Sequence, residues 1–286
     1  MKERLFLFLA VIGLVIAACQ TVPVTGREQL DLVSSDQVLA MSSQAYRDFM
    51  SQHKVVQRTQ AADQVTRVGK KIQRSVEEYF ATQNMSERLS GYQWEFNLVD
   101  DPQANAFALP GGKVVVFTGI LPITENDPGL AVVLGHEVAH AVARHGNERM
   151  SQALLAQMGG VALGVALSQK TEQTQQLFMT AFGLGTQIGV LLPYGRLQES
   201  EADHLGLIFM AMAGYDPTTA IAFWQRMEKQ QKGSPPQFLS THPSSTTRIE
   251  DIKALIPEAM KYKKTMRLLP YRNLARNFRS CPNSLS

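Results

Sequence analysis

His136-Glu137-Val138-Ala139-His140 is an HExxH sequence inside an apolar stretch that has the periodicity of a helix. Because residues four apart lie on one face of a helix, His136 and His140 can direct both imidazoles at a single ion. Zn²⁺ is the usual ion at such a pair, and Glu137 follows the first ligand, where a carboxylate can deprotonate a metal-bound water. These residues therefore predict a hydrolytic zinc site of the kind that cleaves amide bonds.

The flanking residues predict one helix over roughly residues 128–146. Asp127 can cap its N-terminus, Pro128 suits the first helical position, and Gly146 is a natural end. The alternative is a core helix whose two histidines bind no metal, and a third ligand elsewhere in the chain would argue against it.

A catalytic zinc needs a third protein ligand and one open position. The best candidates lie in residues 198–207, which also have a helical pattern. Glu199 and Asp203 are four residues apart, so they can supply a ligand and a carboxylate that accepts the distal N–H of a ligand histidine. Glu201 points about 200° away from Glu199 and is the second candidate ligand. The alternative is a solvated acidic face, which poorly explains the apolar residues beside these acids.

Three blocks of sequence resemble the signature of the membrane-associated gluzincins, peptidase family M48. They are residues 136–145, residues 199–203 and residues 241–249. Residues 23–27 and residues 105–112 are most similar to the lipoprotein-type, BepA-like branch of that family. The resemblance covers roughly residues 22–256. It implies an α+β, mainly helical, gluzincin-type zinc peptidase domain with a small sheet beside the HExxH helix.

The resemblance also implies roles for individual residues. His136, His140 and Glu199 would be the ligands of one Zn²⁺ per chain, and Glu137 would be the catalytic base. Asp203 matches an acidic residue that is sometimes given as a proton donor in this family. BepA-like members carry C-terminal helical repeats, whereas the roughly 30 residues after the last block are too few for one repeat of that kind.

Four further residues are expected near this site. His242 lies in a loop beside Pro243, where it can stabilise an oxyanion, or take the fourth zinc position and hold the enzyme latent. The alternative is a loop histidine bonded to nearby backbone, but the resemblance favours a position near zinc. Arg248 is expected to pair with a buried carboxylate such as Asp203, and Arg144 to brace the active-site helix together with His145.

The chain before the motif predicts a substrate-binding edge. Residues 105–109 and 113–118 flank Pro110-Gly111-Gly112 and predict two strands joined by a turn. A free strand edge can pair with an extended substrate, and Asn105 and Ala106 are the candidates for that contact. The alternative is a plain core hairpin. Helices are also predicted over residues 35–51, 60–82 and 217–232, and a strand over residues 93–99.

Two glycine-containing apolar segments, residues 153–168 and 177–193, are each shorter than a membrane span. We expect a helical hairpin that packs on the domain. The alternative is that they lean into the membrane or cover the cleft.

The N-terminus has the pattern of a lipoprotein signal peptide. A short basic start precedes an apolar run over residues 5–18, which ends in Ile16-Ala17-Ala18-Cys19 and resembles a bacterial lipobox. Acylation of Cys19 would anchor the protein stably, and Gln20 favours the outer membrane of a Gram-negative cell, facing the periplasm. The alternative is an ordinary secretion signal.

The expected organisation is a signal peptide over residues 1–18, a lipidated N-terminus and linker over 19–34, a metallopeptidase domain over 35–260 and a basic tail over 261–286. The chain has two cysteines, so acylation of Cys19 would leave no disulfide framework. A net charge of +3 and the absence of a nucleic-acid motif favour no nucleic-acid partner. The basic tail can be solvated or touch anionic lipid.

These features predict a zinc-dependent endopeptidase tethered to the bacterial envelope, with protein substrates and a membrane contact through Cys19. The expected substrates are misfolded or stalled envelope proteins, with the outer-membrane assembly machinery as a candidate partner. The alternative is a zinc-stabilised periplasmic chaperone or assembly factor with latent or secondary proteolysis. Hydrolysis of a non-peptide substrate is a third, less favoured alternative.

Overall fold

The computed structural model describes residues 19–158, 172–182, 195–230, 236–243 and 247–265. The predicted signal peptide, most of the two glycine-containing segments and the tail beyond residue 265, including Cys281, lie outside the described residues. The elements are β1 (Cys19–Thr21), β2 (Glu28–Leu30), α1 (Ser35–Gln52), β3 (Val55–Val56), α2 (Gln60–Thr82), β4 (Glu95–Val99), β5 (Ala106–Leu109), β6 (Lys113–Phe117), α3 (Leu121–Thr124), α4 (Asp127–Val142), α5 (His145–Met158), α6 (Glu172–Ala181), α7 (Arg196–Met212), α8 (Thr219–Gln230), α9 (Gln237–Thr241) and α10 (Arg248–Thr265).

A four-stranded sheet separates two layers of helices. Its strand order is β3-β4-β6-β5, in which β4 and β6 are parallel and the other neighbours are antiparallel. Side chains alternate between the two faces of a strand. Val114 and Val116 of β6 therefore join the core under α2, α4 and α7, whereas Val115 and Phe117 join a second core with α1, α5 and α6. The α+β, mainly helical fold is confirmed, and β5 lies at the edge of the sheet.

The HExxH helix, α4, runs through the centre of the larger core. Asn126 caps it by accepting a hydrogen bond from the Gly129 N–H, one residue earlier than expected from sequence. The predicted end at Gly146 is wrong. The helix ends at Val142, and Arg144, with φ of 62°, turns the chain into α5. Gly146 lies inside α5, where an added Cβ would overlap the ring of Phe182.

The N-terminal segment, predicted as a lipidated N-terminus and linker over residues 19–34, contains a packed hairpin. Strands β1 and β2 pair antiparallel, from Cys19 opposite Leu30 to Thr21 opposite Glu28. Val22 and Val33 belong to the two cores, and Gln29 is buried. The reason is apolar burial, because these side chains gain more from the cores than a solvated linker would allow.

At the other end of the domain, α10 continues to residue 265, so the first residues of the predicted tail are helical. Among the described helices, none combines the length and the apolar character needed to cross a membrane.

Candidate metal centre

Two of the predicted ligands lie on one face of α4. The Nε2 atoms of His136 and His140 are 3.1 Å apart, as expected for residues one helical turn apart. Each of these histidines is 2% exposed, so the pair lies beneath the protein surface.

Glu199 of α7 and His242, which follows α9, complete a cluster of four donors with His136 and His140. One donor atom from each residue lies within 4.8 Å of all the others. Glu199 Oε1 is 3.3 Å from His140 Nε2 and 2.9 Å from His242 Nδ1. His242 Nδ1 is in turn 3.3 Å from His136 Nε2. The sequence predicted three of these residues as ligands and His242 as a neighbour of the metal.

The donors fit a metal ion of the size and preference of Zn²⁺. Bonds of 2.0–2.1 Å in a tetrahedron place neighbouring ligand atoms about 3.3 Å apart. The observed separations are 2.9–3.4 Å, and imidazole nitrogen and carboxylate oxygen are ordinary zinc ligands. Close packing of three imidazoles and a carboxylate in a buried pocket is therefore well explained by a shared cation.

Asp203 and Arg248 set the tautomer of His136. His136 Nδ1–H donates to Asp203 Oδ1 at 2.9 Å, so Nε2 is the ring nitrogen that faces the cluster and can bind a metal once it has lost its proton. Arg248 holds both carboxylate oxygens of Asp203, at 2.8 and 2.9 Å. Burial lowers the pKa of His136, but the charges of Glu199 and Asp203 outweigh burial and raise it to about 9.

His145 and Glu201 orient the ring of His140, as Asp203 and Arg248 orient the ring of His136. His145 Nδ1 lies 2.9 Å from His140 Nδ1, and His145 Nε2 lies 3.1 Å from Glu201 Oε2. Burial lowers the pKa of both histidines. Glu201, the second candidate ligand by sequence, thus faces His145 and is outside the four-donor cluster.

Glu137 lies beside the cluster. Its Oε1 atom is 3.3 Å from His242 Nε2, is buried, and accepts no hydrogen bond within the described part of the chain. Burial raises the pKa of this carboxyl, although the nearby charges of His242 and His136 and a hydrogen bond from the Ala108 N–H oppose the effect. A buried carboxylate oxygen without a donor is well placed to accept a proton from water.

The predicted substrate edge lies next to Glu137. Phe117 N–H donates to Asn105 O, so the register places the outward-facing peptide groups at Ala106 and Ala108. Asn105 Oδ1 accepts a hydrogen bond from Ala106 N–H at 3.0 Å. One residue earlier, Ala104 O accepts from Phe238 N–H of α9 at 3.1 Å. The segment that carries His242 therefore also contacts the chain at the start of this edge.

The remaining predicted residues lie outside the cluster. Arg144 donates to Asp31 at 2.8 Å, and Cys19 opens β1. Sequence reasoning missed Thr25 and Arg27, whose side chains both reach Glu201, at 2.8 and 2.9 Å. The only available signal was the family resemblance of residues 23–27.

Comparison with known proteins identifies the family. The model of Peptidase family M48 matches residues 67–256. The mitochondrial metalloendopeptidase OMA1 of Schizosaccharomyces pombe is 37% identical over 249 residues, which are 85% of this chain and 68% of that protein. The human mitochondrial metalloendopeptidase OMA1 is 31% identical over 283 residues, 95% of this chain and 53% of the relative. The β-barrel assembly-enhancing protease of Escherichia coli is 30% identical over 167 residues, 56% of this chain and 34% of that protein. The chain thus spans between about a third and two thirds of the length of these relatives.

Proposed function

The chain belongs to peptidase family M48, and we propose that it is a zinc-dependent endopeptidase tethered to the bacterial envelope. The observation that carries the catalytic part is the buried group of His136, His140, Glu199 and His242 with the Glu137 carboxylate beside it. A scaffold that only needed metal for stability would have no use here for a buried carboxylate oxygen that accepts no hydrogen bond from the described residues.

The chemistry follows from these positions. His136, His140 and Glu199 would hold Zn²⁺, which when bound supplies Lewis-acid activation of water and of the scissile carbonyl. Glu137 takes the proton of the attacking water and delivers it to the leaving nitrogen. Burial raises its pKa, which makes this carboxylate a better acceptor of the water proton. The outward peptide groups of β5 would align the substrate backbone beside Glu137.

We further propose that this conformation is latent and that His242 is the residue that closes it. His242 Nδ1 occupies a corner of the donor cluster, where a catalytic site keeps one position open. Phe238 N–H donates a hydrogen bond to the Ala104 carbonyl, and the Phe238 ring stacks on His242 with ring centroids 4.6 Å apart. Displacement of residues 236–243 would free both the metal position and the start of the strand edge.

The envelope location rests on the N-terminal sequence. The lipobox-like Ile16-Ala17-Ala18-Cys19 supports acylation of Cys19, and Gln20 supports outer-membrane delivery. Relatives named β-barrel assembly-enhancing proteases occur in Escherichia coli and Yersinia pestis, whereas those named OMA1 are mitochondrial metalloendopeptidases. We propose misfolded or stalled envelope proteins as the substrates, and the outer-membrane assembly machinery as a partner.

The test measures zinc content and casein cleavage in parallel. We expect one Zn²⁺ per chain in the wild type and in Glu137→Gln, but loss of cleavage in Glu137→Gln because the amide cannot accept the proton. Glu87→Gln makes the same substitution at an exposed position and serves as the matched control. Full cleavage by a zinc-loaded Glu137→Gln would remove Glu137 from the mechanism.

His242→Ala tests latency. It removes the fourth donor but none of the three predicted catalytic ligands, so we expect faster cleavage at unchanged zinc content. Slower cleavage would contradict latency and favour oxyanion stabilisation. The assembly-factor alternative would be favoured if every form bound zinc but none cleaved casein, and if Glu137→Gln still rescued the phenotype of a deletion strain.

A further inference from the structure

The N-terminal hairpin, residues 19–30, reaches the metal centre through the buried carboxylate of Glu201. Thr25 Oγ1–H donates to Glu201 Oε1 at 2.8 Å. Arg27 donates to both oxygens of the same carboxylate, from Nε at 2.9 Å and from Nη2 at 3.0 Å. The side chain of Glu201 is 1% exposed, so these donors compensate a charge that water cannot reach.

Arg27 also links α5, which carries His145, to α7, which carries the predicted ligand Glu199. Its Nη1 and Nη2 atoms donate to the two oxygens of Glu148 in α5, at 2.7 and 2.9 Å. Glu148 in turn accepts from Gln198, the residue before Glu199 in α7, at 2.6 Å. One guanidinium thus fixes the spacing between α5 and α7 with a geometry that lysine cannot reproduce.

A chain of hydrogen bonds links the Arg27–Glu201 contact to His140 through His145. Glu201 is an acceptor, because Thr25 Oγ1 and two nitrogens of Arg27 donate to its two carboxylate oxygens. His145 Nε2 must therefore donate to Glu201 Oε2, which leaves His145 Nδ1 as the acceptor that faces His140. His140 Nδ1–H donates to that atom, and the lone pair of His140 Nε2 is left for the metal.

The backbone of the hairpin is shaped to present these two side chains. Val24 has φ of 72° and Gly26 has φ of 66°. The turn is closed by hydrogen bonds from Gly26 N–H to Val22 O and from Val22 N–H to Arg27 O. A β-branched residue is strained at positive φ, and such strain persists where surrounding contacts enforce it.

We propose that the N-terminal hairpin is a working part of the metal site, in which Thr25 and Arg27 are positioning residues that act through Glu201 and His145 on the ligand His140. The proposal rests on the proposed zinc site, and it goes further by assigning part of the metal affinity to a segment that contributes no ligand.

The test compares Arg27→Gln with Arg88→Gln in the full chain. Arg88 Nη1 donates to the Thr21 carbonyl at 2.6 Å, so it anchors the same hairpin without contacting Glu201, and it is the matched control. Zinc affinity is measured by competition with a chelating dye, and the Co²⁺-loaded forms are compared by their visible absorption spectra. Thermal unfolding of the metal-free proteins reports the purely structural effect of each substitution.

We expect Arg27→Gln to weaken zinc binding by about 10–100-fold and to change the Co²⁺ spectrum, as is typical when the support of a ligand histidine is lost. Arg88→Gln should retain the wild-type affinity and spectrum. Thr25→Val is nearly isosteric and removes one donor to Glu201, so we expect zinc affinity to fall about threefold or more. If Arg27→Gln does not fold, Thr25→Val is the variant that tests the proposal.

Wild-type affinity and spectrum in both Arg27→Gln and Thr25→Val would overturn the inference. An equal loss in Arg88→Gln would also overturn it, because the effect would then come from docking of the hairpin in general. If the wild type itself binds no zinc, the proposed function fails; if it binds zinc and the variants bind equally, only the inference fails.

Discussion

The ligand-bearing helices α4 and α7 cross where two glycines face each other, and this contact sets the precision of the metal site. An ideal Cβ on Gly135 would lie 2.9 Å from Gly206 O, and one on Gly206 would lie 3.0 Å from His136 N. The opposing atoms are backbone, so no side-chain rotation can relieve the overlap. His136 follows Gly135 directly, and Glu199 lies two turns before Gly206 in α7.

Gly135→Ala should therefore both destabilise the fold and disturb the donor cluster. Ordinary contact with a Cβ begins at 3.4 Å, so the helices must separate by about 0.5 Å, which is the tolerance of a working site. Overpacking of this kind costs about 1–3 kcal/mol of the free energy of unfolding. For a domain of this size, that corresponds to a fall in Tm of about 3–10 °C. A displacement of half an ångström at the donors should lower cleavage about tenfold.

The assay is thermal unfolding of the metal-free protein, together with zinc affinity and casein cleavage of the loaded protein. Gly195→Ala is the matched control, because among the described residues its Cβ would meet only Gln198 Oε1 at 3.9 Å, and its φ of −67° suits alanine. We expect the control to unfold within about 0.5 kcal/mol of the wild type. A Gly135→Ala protein with wild-type Tm and zinc affinity would refute the argument that helix spacing at this contact fixes the site.

Two more outcomes are expected. Arg248→Gln leaves the carboxylate of Asp203 buried without its arginine partner, and it removes a guanidinium stacked 3.5 Å from the Trp224 ring centroid. We therefore expect the free energy of unfolding of the metal-free protein, measured with denaturant, to fall by about 3–5 kcal/mol. Stability equal to the wild type would contradict that ion pairing. In the metal-free protein the pKa of His136 is raised from 6.5 to about 9, so the stabilisation from its charge is complete below pH about 6.5 and is lost as the pH rises through about 9. Zinc uptake between these values should release a proton from His136 and strengthen with pH, which calorimetry in buffers of different ionisation enthalpy can measure; heat independent of the buffer would contradict the assignment.

Local pattern was sufficient for many of the individual helices and strands. The helix with two histidines one turn apart, the second helix with Glu199 and Asp203 on a common face, and the strands around Pro110-Gly111-Gly112 each follow from the spacing of residues near in sequence. Peptidase family M48 and its α+β, mainly helical fold were predicted from the resemblance of residues 136–145, 199–203 and 241–249 to that family, and both are confirmed.

The tertiary structure alone decided how the site is completed. Arg27 reaches Glu201 across 174 positions of sequence, and His136 reaches His242 across 106. The turn at Arg144 brings His145 back onto His140, and the hydrogen bond from Phe238 to Ala104 closes the start of the strand edge. The sequence determined which side chains share a face within one element, because helix and strand periods are local properties of the backbone. Which elements then face one another depends on how the two cores pack, and that is a property of the whole chain.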